Sequence, residues 1–268
     1  TLSTNYEKKG SHRFHIAVQT RDFSQSISCI LNKGQRTREE EEELVTEFVI
    51  ALISDCCGFE FKYPEIKEDV EHIQIPAQKG WADLMSEKIK FVTSSNQQPK
   101  LIFPGAFNPM HDGHIAMSEL ANKELSEEVF FEICIQNVDK PPLSYHQIKK
   151  TIDQFTDSKN WVLTKAGKFS DKAKLFPNST FIIGADTLVR IFDERFYASR
   201  REMMEEFEIF NANNNNFLVF GREYKNKFIE LNDIQVPDSI KSRFRGFGEN
   251  IFRKDVSSST IRAQNSEE

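Results

Sequence analysis

The sequence predicts an α/β protein, a three-layer α/β/α arrangement on a parallel sheet, preceded by a small ββα fragment. Two patterns predict it. From residue 99 onward, short apolar runs alternate with stretches of helical periodicity, the signature of βαβ units around a sheet buried on both faces. Ahead of them, two strand-like runs lead into one amphipathic helix. The 268 residues exceed the usual single domain of roughly 100–150 residues. The expected division is therefore 1–58 for the fragment, 59–98 for a linker with a helix, and 99–268 for the main domain.

In the fragment, residues 14–20 and 24–31 read as strands joined by a polar turn at Arg21 and Asp22. Thr37 stands three residues before Glu40, a capping-box spacing. Leu44, Phe48, Ala51 and Leu52 then recur at helical intervals up to Gly58. The five consecutive glutamates 39–43 fall in the first turns, where the helix dipole favours negative charge, so they read as a solvated helix start rather than a metal site. Pro64, Pro76 and the polar stretch 93–99 break the pattern that follows, and only 81–91 looks helical.

In the main domain, strands are expected at 100–103, 129–135, 161–164, 180–183 and 217–220. Helices are expected at 114–125, 145–155, 188–192 and 201–210. The asparagine-rich tract 211–216 reads as an exposed loop. Ligands of parallel sheets bind at the carboxyl ends of the strands, and the candidate chemistry is sought there.

Composition narrows the partners. Hydrophobic residues are 38% of the chain, with 24 Phe to fill a core. The net charge is −6 and the basic residues are scattered, so no nucleic-acid footprint is expected, while a small anionic substrate remains compatible. Cys29, Cys56, Cys57 and Cys134 lack metal-ligand spacing and sit in apolar runs, as small buried thiols of a reducing compartment do. No run reaches the roughly 18 apolar residues of a membrane span, and the first residues are too polar for a signal peptide. A soluble protein of the cytoplasm, or of the nucleus, is expected. The chain opens on Thr1 rather than Met, which leaves open whether it is part of a longer product.

The chemistry concentrates at residues 105–114, G-A-F-N-P-M-H-D-G-H. The strand L-I-F runs into Pro104 and Gly105, and a helix begins near Gly113, so the chain turns at the carboxyl end of the first core strand. Small residues there let backbone N–H groups approach a phosphate, and the helix offers its positive end. His111 and His114, three apart, lie on one side of that helix start. Two imidazoles aimed at a polyphosphate can donate to oxygens whose charge grows in the transition state. A bare His-x-x-His pair also fits zinc or a helix cap.

The complete string, G-x-F-x-P-x-H-x-G-H in its strand-turn-helix setting, resembles the signature of the nucleotidyltransferase superfamily, which includes the mononucleotide adenylyltransferases, the phosphopantetheine adenylyltransferases and the cytidylyltransferases. Residues 256–262, V-S-S-S-T-I-R, resemble that superfamily's I-S-S-T-x-I-R element, with Val256 for Ile and Ser259 for Thr. The resemblance implies a Rossmann-like fold. It further implies ATP binding by Gly105, Ala106, Phe107, His114, Ser257, Ser258, Ser259 and Arg262, with His111, His114 and Arg262 as the catalytic set. Taken alone, the serine-rich stretch also reads as a tail or a helix cap.

A third element, F-I-I-G-A-D at 181–186, is similar to the strand end of nicotinamide and nicotinate mononucleotide adenylyltransferases. It implies that Gly184 and Asp186 hold the adenosine ribose, a role that a carboxylate accepting two hydroxyls suits. A helix N-cap is the plainer reading of Asp186. Acceptor contacts are expected from Asn108, Lys140, Trp161 and Thr164, although Lys140 also reads as a solvated loop lysine and Trp161 as a core residue. Residues 11–57 resemble the last part of the competence-damage-inducible amidase domain that deamidates nicotinamide mononucleotide. The part of that domain bearing its nucleophile has no counterpart, so deamidase activity is not carried over.

The implied reaction is AMP transfer from ATP to nicotinamide or nicotinate mononucleotide, with Mg²⁺ held through the ATP phosphates and no metal bound by side chains. A cytidylyltransferase, or an adenylyltransferase for another phosphorylated acceptor, stays open. So does a non-catalytic nucleotide-binding or scaffold protein. A class I synthetase-like enzyme lacks its K-M-S-K-S partner here. Partners are thus small nucleotides, without nucleic acid or membrane, and a homo-oligomer is compatible.

Overall fold

A computed structural model describes residues 2–3, 9–136, 141–155 and 159–265. The chain divides into two compact units, Thr1–Ala82 with Ser144–Gln147, and Asp83–Leu143 with Ile148–Glu268.

In the first unit, β1 (His12–Gln19), β2 (Phe23–Leu31) and β3 (Val70–Pro76) form an antiparallel sheet in the order β1-β2-β3. Helix α1 (Arg38–Cys57) packs Leu44, Phe48 and Leu52 against Phe14, Ile27, Cys29 and Leu31. Burying each of these large side chains stabilises the unit by about 1.5–3 kcal/mol. Thr37 caps α1 as its spacing predicts: its hydroxyl accepts the N–H of Glu40, and the Glu40 carboxylate accepts that of Thr37. Gly58 closes the helix at φ 74°, a left-handed position that glycine adopts without a Cβ penalty. Glu41 departs from the expected solvated run. It is fully buried, with Oε1 2.8 Å from His12 Nδ1 and Oε2 accepting the N–H of Ser3, because a buried carboxylate requires partners.

The second unit is built from β4 (Phe91–Thr93), β5 (Leu101–Pro104), α3 (Asp112–Leu125), β6 (Val129–Cys134), β7 (Asn160–Thr164), α5 (Phe169–Leu175), β8 (Thr180–Gly184), α6 (Ala185–Ile191), α7 (Arg200–Ala212), β9 (Asn216–Phe220), the hairpin β10 (Arg222–Tyr224) and β11 (Lys227–Ile229), β12 (Phe244–Phe247) and α8 (Ser258–Asn265). Two helices, α2 (Trp81–Met85) and α4 (Tyr145–Ile152), span the unit boundaries. The main sheet runs β12-β9-β8-β5-β6-β7-β4, parallel except for β4 at the edge, in the Rossmann-like arrangement expected. Its strands are near-continuous apolar runs because both faces are covered. On one face α5, α6 and α7 contribute Ala173, Leu188, Ile191, Met203, Phe207 and Phe210.

The order decides where a ligand goes. From β5 the chain adds β6 and β7 on one side, and β8, β9 and β12 on the other. The switch point therefore lies between the carboxyl ends of β5 and β8, where the crossovers diverge and leave a crevice.

Several expectations change. The stretch 59–98, read as a linker with a helix over 81–91, supplies β3 to one sheet and β4 to the other, and its helix stops at Met85. Asn215, in the tract read as an exposed loop, is fully buried, and its Nδ2 donates to the carbonyl of Phe176 at 2.8 Å and to the hydroxyl of Ser179 at 3.0 Å. Cys57 is exposed rather than buried, while Cys29 lies in the first unit's core. Among the described residues, no helix is long and apolar enough to cross a membrane.

Candidate active site

The turn after β5 is held from four directions. The N–H of Gly105 donates to the Glu132 carbonyl on β6 at 3.0 Å. The next carbonyls are then taken in sequence: Phe107 by Gln154 Nε2 at 2.8 Å, Asn108 by the Arg262 guanidinium, and Pro109 by the Ser258 hydroxyl at 2.8 Å. Gln154 Oε1 also accepts the N–H of Met110 at 2.8 Å. With its carbonyls turned outward into these bonds, the turn presents the N–H groups of Ala106 and Phe107, for which no described residue supplies an acceptor. Such N–H groups are ready to bind an anion.

Packing fixes the same turn. Phe107 has φ 45°, unusual for a bulky residue, and its ring is buried edge-on to Phe103, Phe131 and His114. Burial of that ring offsets the backbone cost of about 1–2 kcal/mol. Gly105 is required beside it, because a Cβ there would stand 2.6 Å from Phe107 Cζ.

The rings of His111 and His114 stack at the start of α3, with centroids 3.7 Å apart. The backbone N–H of His111 points to His114 Nδ1 at 3.3 Å. That acceptor role assigns the neutral ring's proton to Nε2. Both ring nitrogens of His111 are buried, and no described protein group pairs with either. Burial, the neighbouring His111 and the Arg222 charge hold His114 down at about 3. Burial and Arg222 also lower His111, against the attraction of Asp112. Both rings are therefore neutral at pH 7.

Across the switch point, β8 ends in Gly184, which caps α6, and Asp186 lies in the first turn of that helix. Asp186 is thus not the N-cap. Its Oδ1 is buried without a hydrogen-bond partner, and Arg222 Nε stands 3.8 Å away. A Cβ on Gly184 would approach Oδ1 to 2.4 Å, so the carboxylate fits only against glycine. His111, Gly113, Gly184, Arg222 and Lys254 line one cleft, with Phe252 on its wall.

Helix α8 supplies the last side. Ser257 accepts the N–H of Thr260 at 3.1 Å and so caps α8, while Ser258 and Arg262 reach the 108–109 carbonyls. Ser259 lies in the first turn of α8. The structure thus brings together Gly105, Ala106, Phe107, Asn108, His111, Ser258 and Arg262 around one turn, and places Gly184, with Asp186 against it, across the cleft from His111.

It does not bring in two of the expected acceptor residues. Thr164 is fully buried, and its hydroxyl donates to Glu132 Oε1 at 2.5 Å. Trp161 sits near the amino end of β7, tied to Ser94 of the edge segment. Lys140 lies outside the described residues. Arg222, Lys254 and Gln154 were not read from the sequence. Arg222 had a usable signal, since it follows the strand 217–220 by one glycine and so falls at a carboxyl end. Gln154 and Lys254 had none. Among the described residues, no group of three or more His, Cys, Asp or Glu is arranged to hold a metal ion. A separate cavity of about 1030 Å³, lined by Phe192, Met203, Leu231 and Phe244, contains none of these residues.

The cytidylyltransferase-like family model matches residues 102–264, more than half of the chain. The chain belongs to this family. As a cytidylyltransferase-like nucleotidyltransferase it carries both histidines and Arg262 within the matched region. No curated protein matches the chain. Among solved structures, the chain is similar to a Plasmodium falciparum nicotinic acid mononucleotide adenylyltransferase complexed with NaAD, at 17% identity and a TM-score of 0.35, covering 62% of this chain and 83% of that one.

Proposed function

We propose that the chain transfers AMP from ATP to nicotinamide or nicotinate mononucleotide and releases pyrophosphate. The observation that carries it is the crevice itself: paired imidazoles and the 105–109 turn on one side of the switch point, and the half-buried Asp186 carboxylate, its Oδ1 without a hydrogen-bond partner, on the other. An acceptor phosphate oxygen attacks the α-phosphorus in line. The new P–O bond forms as the bond to the β-phosphate bridging oxygen breaks, and pyrophosphate leaves with that electron pair.

In this reading the Ala106 and Phe107 N–H groups and His114 Nε2–H hold the triphosphate. The histidines meet charge that grows at the α- and β-phosphates. Arg262 and the amino end of α8, formed by Ser257, Ser258 and Ser259, steady the leaving pyrophosphate, and Asp186 accepts the ribose hydroxyls. Asn108 meets the acceptor, and Lys140, outside the described residues, is proposed for it from the sequence alone. No side chain need act as a nucleophile, so positioning and electrostatics carry the rate. Mg²⁺ would enter with the phosphates, whose charge it would neutralise when bound.

The test is pyrophosphate release from purified protein with ATP or CTP, each against a panel of phosphorylated acceptors. Turnover with ATP and a pyridine mononucleotide is expected. Turnover only with CTP overturns the nucleotide, turnover with another acceptor overturns the pyridine assignment, and ATP binding without any release points to a non-catalytic protein.

A further inference from the structure

We propose that His111 takes up a proton when a polyphosphate enters the cleft, while His114 stays neutral and donates through Nε2. This rests on the triphosphate reading of the site. It extends that reading by giving two adjacent, chemically identical side chains different protonation states.

The argument is one of donors and acceptors. A deprotonated polyphosphate offers acceptors only. His114 can meet it as a neutral ring, because its Nδ1 lone pair already faces the His111 N–H and its Nε2 bears the proton. His111 cannot do so. Both its nitrogens are buried and unpaired with any described protein group, and a neutral imidazole has one N–H and one lone pair. Whichever tautomer forms, one buried nitrogen of the neutral ring is left as an acceptor with no hydrogen bond from a described donor. A second proton turns both nitrogens into donors, and charge-assisted hydrogen bonds to phosphate are roughly twice as strong as neutral ones.

The charged surroundings favour one proton and no more. Rings stacked at 3.7 Å repel if both are charged. On α3, Asp112 favours the cation at His111. From β10, Arg222 opposes it, and Arg222 is itself partly offset by Asp186 of α6 at 3.8 Å. Lys254, before α8, lines the same cleft, and Arg262 of α8 is directed to the Asn108 carbonyl. An empty cleft thus holds more positive than negative charge near the ring and keeps it neutral. A polyphosphate with several negative charges reverses that balance.

The experiment is calorimetric titration of the full chain with Mg²⁺ and α,β-methylene ATP at pH 7.5, in two buffers of different ionisation enthalpy. Uptake of about one proton per site is expected, with affinity weakening about tenfold per pH unit where the free ring is neutral and the bound ring still charged, and levelling off once the bound ring titrates. The uptake should disappear in His111→Asn and persist in His114→Asn. Because either variant could bind poorly, carbon–proton spectra of the histidine Cε1 positions in unmodified protein give a second readout. One ring should move to the imidazolium position on binding and the other should not. Binding without proton uptake, or uptake that persists in His111→Asn, overturns the assignment while leaving the nucleotide reading intact. Failure of the nucleotide to bind overturns both.

Discussion

The Ser258 hydroxyl donates to the carbonyl of Pro109 at 2.8 Å across 149 positions of sequence. With the Arg262 guanidinium on the neighbouring Asn108 carbonyl, it joins the two ends of the matched family region into one structure. The 105–109 turn is therefore held in part by α8, and anything that loosens one motif loosens the other.

Gln154 belongs to the same assembly and is not among the residues proposed to touch substrate. Gln154→Leu removes its bonds to Phe107 and Met110, with an expected loss of about 1–3 kcal/mol in urea unfolding. Turnover should fall more than the ATP KM rises. Gln154→Glu keeps the acceptor for Met110 and should lie between Leu and the unmodified chain.

The histidines should behave differently from Gln154 in kinetics. His114→Ala is expected to lower kcat by about 10²–10³ with a smaller change in the KM for ATP, as for lost transition-state donors. Steady-state rates over a range of ATP concentration check this. An equal loss carried entirely by KM would assign the ring to ground-state binding.

Gly184→Ala tests the tight fit against Asp186. A methyl placed 2.4 Å from Oδ1 must displace the carboxylate. ATP affinity is expected to fall by at least tenfold, while circular dichroism and the melting temperature change little. Asp186→Ala combined with Gly184→Ala should cost little more than Asp186→Ala alone, because the clash partner is gone.

Stability should carry a histidine signature in mild acid. Folding lowers His114 to about 3 and His111 below its ordinary 6.5, so the unfolded chain binds more protons below pH 6.5. Their contribution is complete above that pH and is lost as pH falls toward the folded values. The slope is at most about 1.4 kcal/mol per pH unit for each ring. Urea melts between pH 5 and 7 should show it, and the double variant His111→Asn/His114→Asn should flatten it. The Glu68 carboxyl, held at about 2 by Arg36, loses its contribution only below the ordinary carboxylate range, about 4.5, and so does not interfere.

Lys172 and Glu132 make a buried ion pair, with Lys172 Nζ 2.7 and 2.8 Å from the two Glu132 oxygens and 2.6 Å from the Ala166 carbonyl. Lys172→Met leaves an unpaired buried carboxylate and should cost about 3–5 kcal/mol, whereas Lys172→Met with Glu132→Leu should recover most of it. Chemical denaturation of the three variants decides.

What the sequence revealed follows from where its signals are local. The capping box at Thr37 and Glu40, the five apolar core strands and the 105–114 string depend on residues near one another in the chain, and each was readable. The three-residue β4 and the glycine-bearing β12 have too few apolar residues for a period. They exist because β7 and β9 offer them an edge. Gln154 acquires its role only when α4 arrives beside the turn, and Thr164 was misplaced because strand position alone does not tell which side chain is consumed by a buried partner such as Glu132.

Strand β4 also bears on how the protein could be shortened. The family match starts at residue 102, which invites a fragment beginning at Pro99. Such a fragment would lack β4 and leave the outer backbone groups of β7 without their ladder. A bare parallel-sheet edge is a template for another chain, so self-association on concentration is the expected fate of that fragment. A fragment begun at Asp83 would retain its own guard strand and stay dispersed.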